Sequence, residues 1–336
     1  LYTSPELVSI TERIEIDGSV VTDEVFAQAV LRVHECAREA RLVLTEFELI
    51  TAAALSIFAQ SEVEYAVLEV GLGGRWDATS VVHPVLAVLT GVDLDHTAIL
   101  GNTIAEIAAE KAAIIKQDTI VVAAPTDAQA LEVFKKRSEE QGSRFVMVPT
   151  AINQEPGSYQ AQNKLTALTA ARELGLPSLQ PGFLEKEAYE VMGRTVIPGR
   201  LEVLHRDPLL IIDAAHNPAS AQTLVQSFNI PHALLLLAVL SDKDARGIVT
   251  ILAPHFDEIV VTQTASPRAI AAEELAKLVE EITGRAPRVF QTPQAALKVL
   301  LKQEHPLVAT GSITLAGEVK RLMTCSKTQI SATNEE

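Results

Sequence analysis

Short apolar runs rich in β-branched residues alternate with longer amphipathic stretches along most of this chain, and that alternation restricts its fold more than any other feature. Runs at Tyr65–Val70, Leu86–Gly91, Thr119–Ala123 and Arg144–Val148 read as strands. Between them Glu46–Gln60, Thr103–Ile115 and Asp127–Gln141 carry apolar residues three and four apart, the period of a helix with one buried face. A parallel strand pair needs a long crossover, and a helix supplies it, so strand–helix alternation predicts a doubly wound α/β fold. A second series follows Pro198-Gly199, with strands at Leu209–Asp213, Ala233–Leu240, Glu258–Thr262 and Leu307–Thr310. Helices are expected at Ala219–Phe228, Ala272–Glu281, Pro293–Leu301 and Ile313–Met323. Pro-Gly, where the periodicity resets, marks a domain junction near Arg200.

A length of 336 residues fits two domains. Against 43 acidic residues stand 28 Lys and Arg, a formal charge of −15, which argues against a nucleic-acid binder and for small-molecule chemistry. Cys36 and Cys325 make neither a disulfide framework nor a metal cluster, which suits a reducing, cytoplasmic setting. The apolar run at 233–240 is too short to span a bilayer, so no membrane segment is expected. LYTSPEL has no basic region leading into an apolar stretch, so it is no signal peptide, and an opening on Leu1 reads as a cut start. The polar stretch from Cys325 has no pattern and is expected to be a disordered tail.

Three places carry chemistry. Glu69 ends the strand in AVLEVGLGGRWDATSVV, where parallel sheets gather ligands, and is a candidate metal ligand; a solvated strand-end acid before a flexible turn is the plainer alternative. GLGGRW lacks the spacing of a dinucleotide fingerprint. The next strand runs into TGVDLDHTAILG, which puts Asp93, Asp95 and His96 at another carboxyl end and offers a Mg²⁺ or Mn²⁺ environment, or merely a structural histidine. Lys111, beside Glu110 on an amphipathic helix, is ordinarily surface charge.

Read together, YTSPEL, LTEFELITAAA, LEVGLGGRWDAT, LDHTAILGNTIAEIAAEKAAIIK, PGRLEVL, IIDAAHNP, LSDKDARGI and ATGSITLAGEV resemble, in order and spacing, successive blocks of the folylpolyglutamate and dihydrofolate synthases of the Mur ligase superfamily. The resemblance runs to about Met323. It implies a Mur-ligase-like central ATPase domain over 1–199, N-terminally incomplete, a smaller Rossmann-like glutamate-ligase domain over 200–325, and the tail at 326–336. The implied reaction uses ATP to phosphorylate the carboxylate of dihydropteroate or of a folyl glutamate; the amine of L-glutamate then displaces phosphate to form an amide, the alternatives being a Mur-type ligase with another amino-acid acceptor or an inactive paralogue that only binds. A monomer is expected, as is usual in the family.

The same resemblance assigns roles by position. Glu69 and Ser4 would bind Mg²⁺ with the ATP phosphates, and His96 a second Mg²⁺. Lys111 matches a lysine that is carbamylated by CO₂ and so supports that metal. Asn163, in YQAQNKLTALTAA, would lie near the base and Arg200 would reach phosphate, for which a planar guanidinium fork is suited. Asp213 and His216 would contact ATP and orient the incoming substrate, although Asp213 could equally cap the helix after Asn217-Pro218. Ser312 would lie near glutamate, with a simple helix cap as its alternative. The family's G-T-N-G-K-G-S loop has no counterpart in these 336 residues, and no G-x-x-x-x-G-K-[ST] occurs in them. Loss of that region is expected to bare one edge or face of the first sheet. Smaller departures are Ala214 for glycine, Ser80 for asparagine, Ala113 in A-G-I-I-K, and Glu6 for histidine.

Overall fold

The computed structural model describes residues 1–150, 158–175, 195–227 and 230–332. By its contacts the chain divides into two compact units, Leu1–Asn153 with Gln160–Gly193, and Gln154–Tyr159 with Arg194–Glu336.

The first unit begins with Tyr2, which is fully buried and donates its backbone N–H to Val67, while Glu69 returns an N–H to the Tyr2 carbonyl. A small hairpin, β1 (Glu15–Ile16) and β2 (Ser19–Val20), leads into α1 (Asp23–Glu39) and α2 (Glu46–Gln60). Helix α2 starts where Thr45 and Glu48 satisfy each other's backbone N–H groups in a capping box. Its buried face, Ile50, Ala53, Ala54, Ile57 and Phe58, packs with Tyr2, Ile14 and Ala29 in a core of its own.

Three parallel strands, β3 (Leu86–Leu89), β4 (Ile120–Ala123) and β5 (Phe145–Met147), form the sheet of this unit in that order. Between β3 and β4 lie a single turn, α3 (Thr97–Leu100), and α4 (Ile104–Ala112), the latter begun by a second capping box, Thr103 with Glu106. Helix α5 (Ala128–Glu140) crosses from β4 to β5, and α4 and α5 together bury Leu89, Val121 and Ala123. On the opposite face Val122 and Val148 pack with Ala170 of α6 (Ser158–Glu173).

The expected strand at Tyr65–Val70 joins no sheet. Its Leu68 forms only an isolated parallel bridge to Tyr2, and Tyr65 and Val67 are 55% and 63% exposed. A strand is made by its neighbours, and among the described residues none lies along the other side of this one. Strand β3 is likewise an edge, with Val85 and Val88 in solvent.

The second unit holds a six-stranded sheet in the order β10-β9-β8-β11-β7-β6. Its strands are β6 (Glu202–Arg206), β7 (Leu209–Ile212), β8 (Leu234–Leu237), β9 (Glu258–Thr262), β10 (Arg288–Phe290) and β11 (Leu307–Thr310). All pairs are parallel except the edge hairpin β6–β7. Helices α7 (Pro218–Gln226), α8 (Ala245–Leu252) and α9 (Ala272–Thr283) cover one face, burying Ile211, Leu235, Leu237, Ile259, Val261 and Val308. The alternating residues Leu210, Ile212, Leu234, Leu236, Val260, Leu307 and Ala309 are also buried, with α10 (Pro293–Leu300) and α11 (Ile313–Ala332). Burial on both faces explains why these strands are continuous apolar runs. Helix α11 continues to Ala332, through residues whose composition suggested no regular structure. No helix among the described residues is long and apolar enough to cross a membrane.

Candidate active site

In the first unit, the loops that follow Glu69 and β3 converge on α4. The Ser4 N–H donates to Glu69 Oε2 at 2.8 Å, so the two expected metal ligands do meet, through a backbone group of one and the carboxylate of the other. Beyond Glu69 the glycine loop turns against α4: Gly73 is left-handed at φ +69°, and Arg75 pairs with Glu110 at 2.7 Å. A Cβ on Gly74 would stand 2.7 Å from the Glu110 carbonyl oxygen and 3.0 Å from that of Lys111. Backbone cannot yield as a side-chain end can, so Gly74→Ala is expected to lower unfolding free energy by about 1–3 kcal/mol in urea titrations. An unchanged midpoint would mean that the loop does not rest on α4.

The residue that organises this loop is Asp77, which sequence reasoning passed over. It is 9% exposed, and its Oδ2 accepts the N–H groups of Gly71 at 3.0 Å and Leu72 at 2.9 Å. Its Oδ1 accepts the N–H of Thr79 at 2.9 Å and the Thr79 hydroxyl. The signal was present as an aspartate six residues after the first glycine, the reach of a carboxylate folded back onto its own loop.

Lys111, at the last turn of α4, is half-buried, and desolvation holds its amine below the ordinary lysine pKa against the opposing attraction of Asp95. Asp95 accepts the N–H of His96 at 2.8 Å, and its carboxylate lies 4.0 Å from His96 Nε2. His96 itself is left-handed, φ 51°, at the start of α3. Asp95 thus faces His96 directly and acts on Lys111 through its charge, while Ser4 and Glu69 meet separately. No set of three or more His, Cys, Asp or Glu side chains among the described residues is gathered as a metal cage. Asn163 stands exposed on α6 and makes no bond to either group.

Beside the glycine loop opens a cleft of about 560 Å³, lined among others by Ser4, Arg13, Thr45, Phe47, Trp76 and Asp77. Trp76, 90% exposed, stands at its lip. Thr45 and Phe47 come from the LTEFELI block, whose cap signal was legible while its role as a cleft wall was not.

In the second unit, Arg200 sits exposed between two left-handed residues, Gly199 at φ 66° and Leu201 at φ 49°. Buried Asp213, just past β7, accepts the N–H of Leu201 through Oδ2 and that of Ala215 through Oδ1, each at 2.9 Å. Burial pushes its carboxyl pKa up, while those two N–H groups and the charges of Arg200 and His216 pull it back. The helix cap is Asn217, which accepts the Ser220 N–H with Pro218 in the first turn, so Asp213 is not the cap. His216 Nδ1 lies 2.9 Å from the Ala214 carbonyl, which can only accept, so Nδ1 carries a proton. Ser312 is 1% exposed and its Oγ accepts the Leu315 N–H, the helix-cap reading. Gly311 N–H reaches the Ala215 carbonyl at 3.0 Å, which joins that cap to the Asp213 loop. Arg200, Asp213 and His216 thus lie together, with Ser312 sealed behind them.

Residues 32–191 match the Mur ligase middle domain and residues 199–313 the Mur ligase glutamate ligase domain. The dihydrofolate synthase/folylpolyglutamate synthase of Mycobacterium tuberculosis is 34% identical over 84% of this chain and 68% of its own length. That of Bacillus subtilis is 31% identical over 95% of this chain and 83% of its own. A crystal structure of the Mycobacterium tuberculosis folylpolyglutamate synthase with ADP and AMPPCP superposes with a TM-score of 0.84 at 32% identity, covering 96% of this chain and 84% of that one. Identity of this order over most of both partners, with the same two domain models in the same order, makes this chain a member of the dihydrofolate synthase/folylpolyglutamate synthase family of Mur ligases.

Proposed function

We propose that this protein is an ATP-dependent ligase that joins L-glutamate to the carboxylate of dihydropteroate, of a folyl (poly)glutamate, or of both. The observation that carries this reading is the meeting of Ser4 with Glu69, and the packing of the glycine loop beside the cleft against α4 at Glu110 and Lys111. The acceptor carboxylate attacks the γ-phosphorus of ATP, the bond to ADP breaks, and an acyl phosphate results. The glutamate amine then attacks the acyl carbon, phosphate leaves, and the amine proton passes to a base. Such transfers ask a protein for positioning and for positive charge where charge develops.

The donors fit a hard divalent cation in kind, since carboxylate and hydroxyl oxygens are what Mg²⁺ takes. Glu69 and Ser4 would hold it with the nucleotide phosphates, and His96 would hold a second near the acyl group; the cations supply charge neutralisation. Lys111 is the residue proposed to carry a carbamate. Its depressed pKa enlarges the neutral amine fraction, which attacks CO₂ and releases a proton to leave a carboxylate-like group. Arg200 offers its guanidinium to phosphate, and His216, held beside Asp213 by its Nδ1 contact to Ala214, would help orient the incoming amine. The cleft would take the acceptor, with Phe47 and Trp76 against its planar rings. We assign the nucleotide base to the vicinity of Asn163 on family resemblance, and we place the protein in the cytoplasm as a monomer on the same ground.

Trp76 is the only tryptophan in the chain, so acceptor binding has a direct optical readout. Titration with dihydropteroate or tetrahydrofolate is expected to quench its fluorescence. Glutamate incorporation dependent on ATP and Mg²⁺ is expected in the same preparation. Quenching without incorporation would reduce the reading to binding; neither signal would sink it.

A further inference from the structure

Arg200 is held in an unusual way. It occupies the tip of a turn whose two flanking residues are both left-handed, and Leu201, unlike Gly199, is a bulky side chain for which that region is costly. A strained conformation persists only where its surroundings over-determine it. Here they do. Gly199 donates its N–H to Glu202 Oε2 at 2.9 Å and accepts the N–H of Ala214 at 2.7 Å, while Leu201 donates to Asp213 at 2.9 Å. The Arg200 N–H itself closes onto the Ile197 carbonyl at 3.1 Å.

Glu202 is the part of this device that no catalytic role accounts for. Its side chain is only 10% exposed, and it pairs with Lys320 Nζ at 2.9 Å through Oε1 and 3.2 Å through Oε2. Lys320, whose side chain is 24% exposed, stands on α11, the helix that Ser312 caps. A nearly buried carboxylate needs a partner, and Lys320 supplies the charge while the Gly199 N–H supplies direction. The pair therefore ties the turn that presents Arg200 to the helix that closes the opposite side of the Asp213 loop.

We propose that Glu202 and Lys320 are positioning residues for Arg200, a partly buried ionic latch that fixes the direction in which its guanidinium meets the nucleotide phosphates. This rests on the reading of Arg200 as a phosphate ligand. The latch acts by keeping Arg200 pre-organised, so that less freedom is lost when phosphate is gripped.

The test is a double-mutant cycle on the full chain, with the affinity for AMPPNP in Mg²⁺ measured by calorimetry for wild type, Arg200→Ala, Glu202→Gln and the double variant. Arg200→Ala is expected to bind about tenfold more weakly, the loss of a charge-assisted contact. Glu202→Gln, nearly isosteric, is expected to lose about as much, and the double variant no more than Arg200→Ala alone. Quenching of Trp76 by the acceptor, read in the other unit, is expected to be unchanged in all four. Lys320→Met, which keeps the Gly199 hydrogen bond, is expected to weaken binding in the same non-additive way and serves where Glu202→Gln does not fold. Losses that multiply, or wild-type affinity in both latch variants, overturn the latch while leaving Arg200 in place. Unchanged affinity in Arg200→Ala overturns the phosphate reading, and the latch with it.

Discussion

Replacing Asp77 with alanine is expected to lower the unfolding free energy by about 2–4 kcal/mol and to raise the KM for the acceptor far more than that for ATP. The stability figure follows from removing a buried carboxylate that accepts from Gly71, Leu72 and Thr79, when a hydrogen bond to a charged group contributes about 1.5–3 kcal/mol and such bonds share cost within a network. The kinetic effect follows from position, since the loop that Asp77 fastens is one wall of the cleft. Asp77→Asn separates the two causes. Asparagine has one oxygen and one NH₂, so it can satisfy either the Gly71 and Leu72 donors or the Thr79 donors, not both. It is expected to lose about half as much stability. Urea titration and steady-state kinetics read the two effects separately. Full stability in Asp77→Ala would show that the loop stands without it.

Lys111→Ala is expected to cut glutamate incorporation by about 10²–10³-fold, the usual consequence of removing one group aimed at developing charge. A short carboxylate such as propionate is expected to restore part of it, because the proposed carbamate acts as a carboxylate. Alanine activity near wild type, or loss with no rescue and no ¹³C-bicarbonate label on Lys111, would refute the assignment. The pH dependence has a definite sign. Desolvation lowers the folded-state pKa of Lys111 below 10.5, so between that lowered value and 10.5 the unfolded chain binds more protons than the folded one. Stability contributed by this group therefore rises with pH through that window. Lys111→Met, apolar and of similar length, is expected to flatten that slope in alkaline urea titrations.

The shift at Lys111 also shows why its role could not be read from its neighbours in sequence. On the helical wheel it is a lysine beside Glu110 near the end of an amphipathic helix, and that pattern describes a solvated face. Glu110 in fact pairs with Arg75 from the glycine loop, and Asp95 from the β3 loop is the charge that acts on Lys111. Asp213 shows the same limit from the other side. A cap before Asn217-Pro218 was a sound local alternative, yet Asn217 is the cap, and Asp213 spends its oxygens on Leu201 and Ala215. The local reading did hold for Ser312, because a helix N-terminus is satisfied by residues within one turn of it.

What the sequence determined by itself was what depends on near neighbours. The period of the apolar residues set helix α2 and the strands β7, β8, β9 and β11 with small errors at their ends, and Thr, Asn and Pro at fixed offsets set where helices begin. Strands β1, β2, β6 and β10 and helices α1, α3, α6 and α8 escaped that reading. Only the tertiary structure decided which elements become a sheet and which charges meet. Tyr65–Val70 has the composition of a buried strand but among the described residues is paired only by Tyr2, since strand formation needs a hydrogen-bonding neighbour that composition cannot supply. The Glu202–Lys320 pair joins residues 118 positions apart, and nothing in either segment names the other. Contacts of that range follow from how the sheet and its helices pack, because a charge finds its partner through the fold that brings the two out of water together.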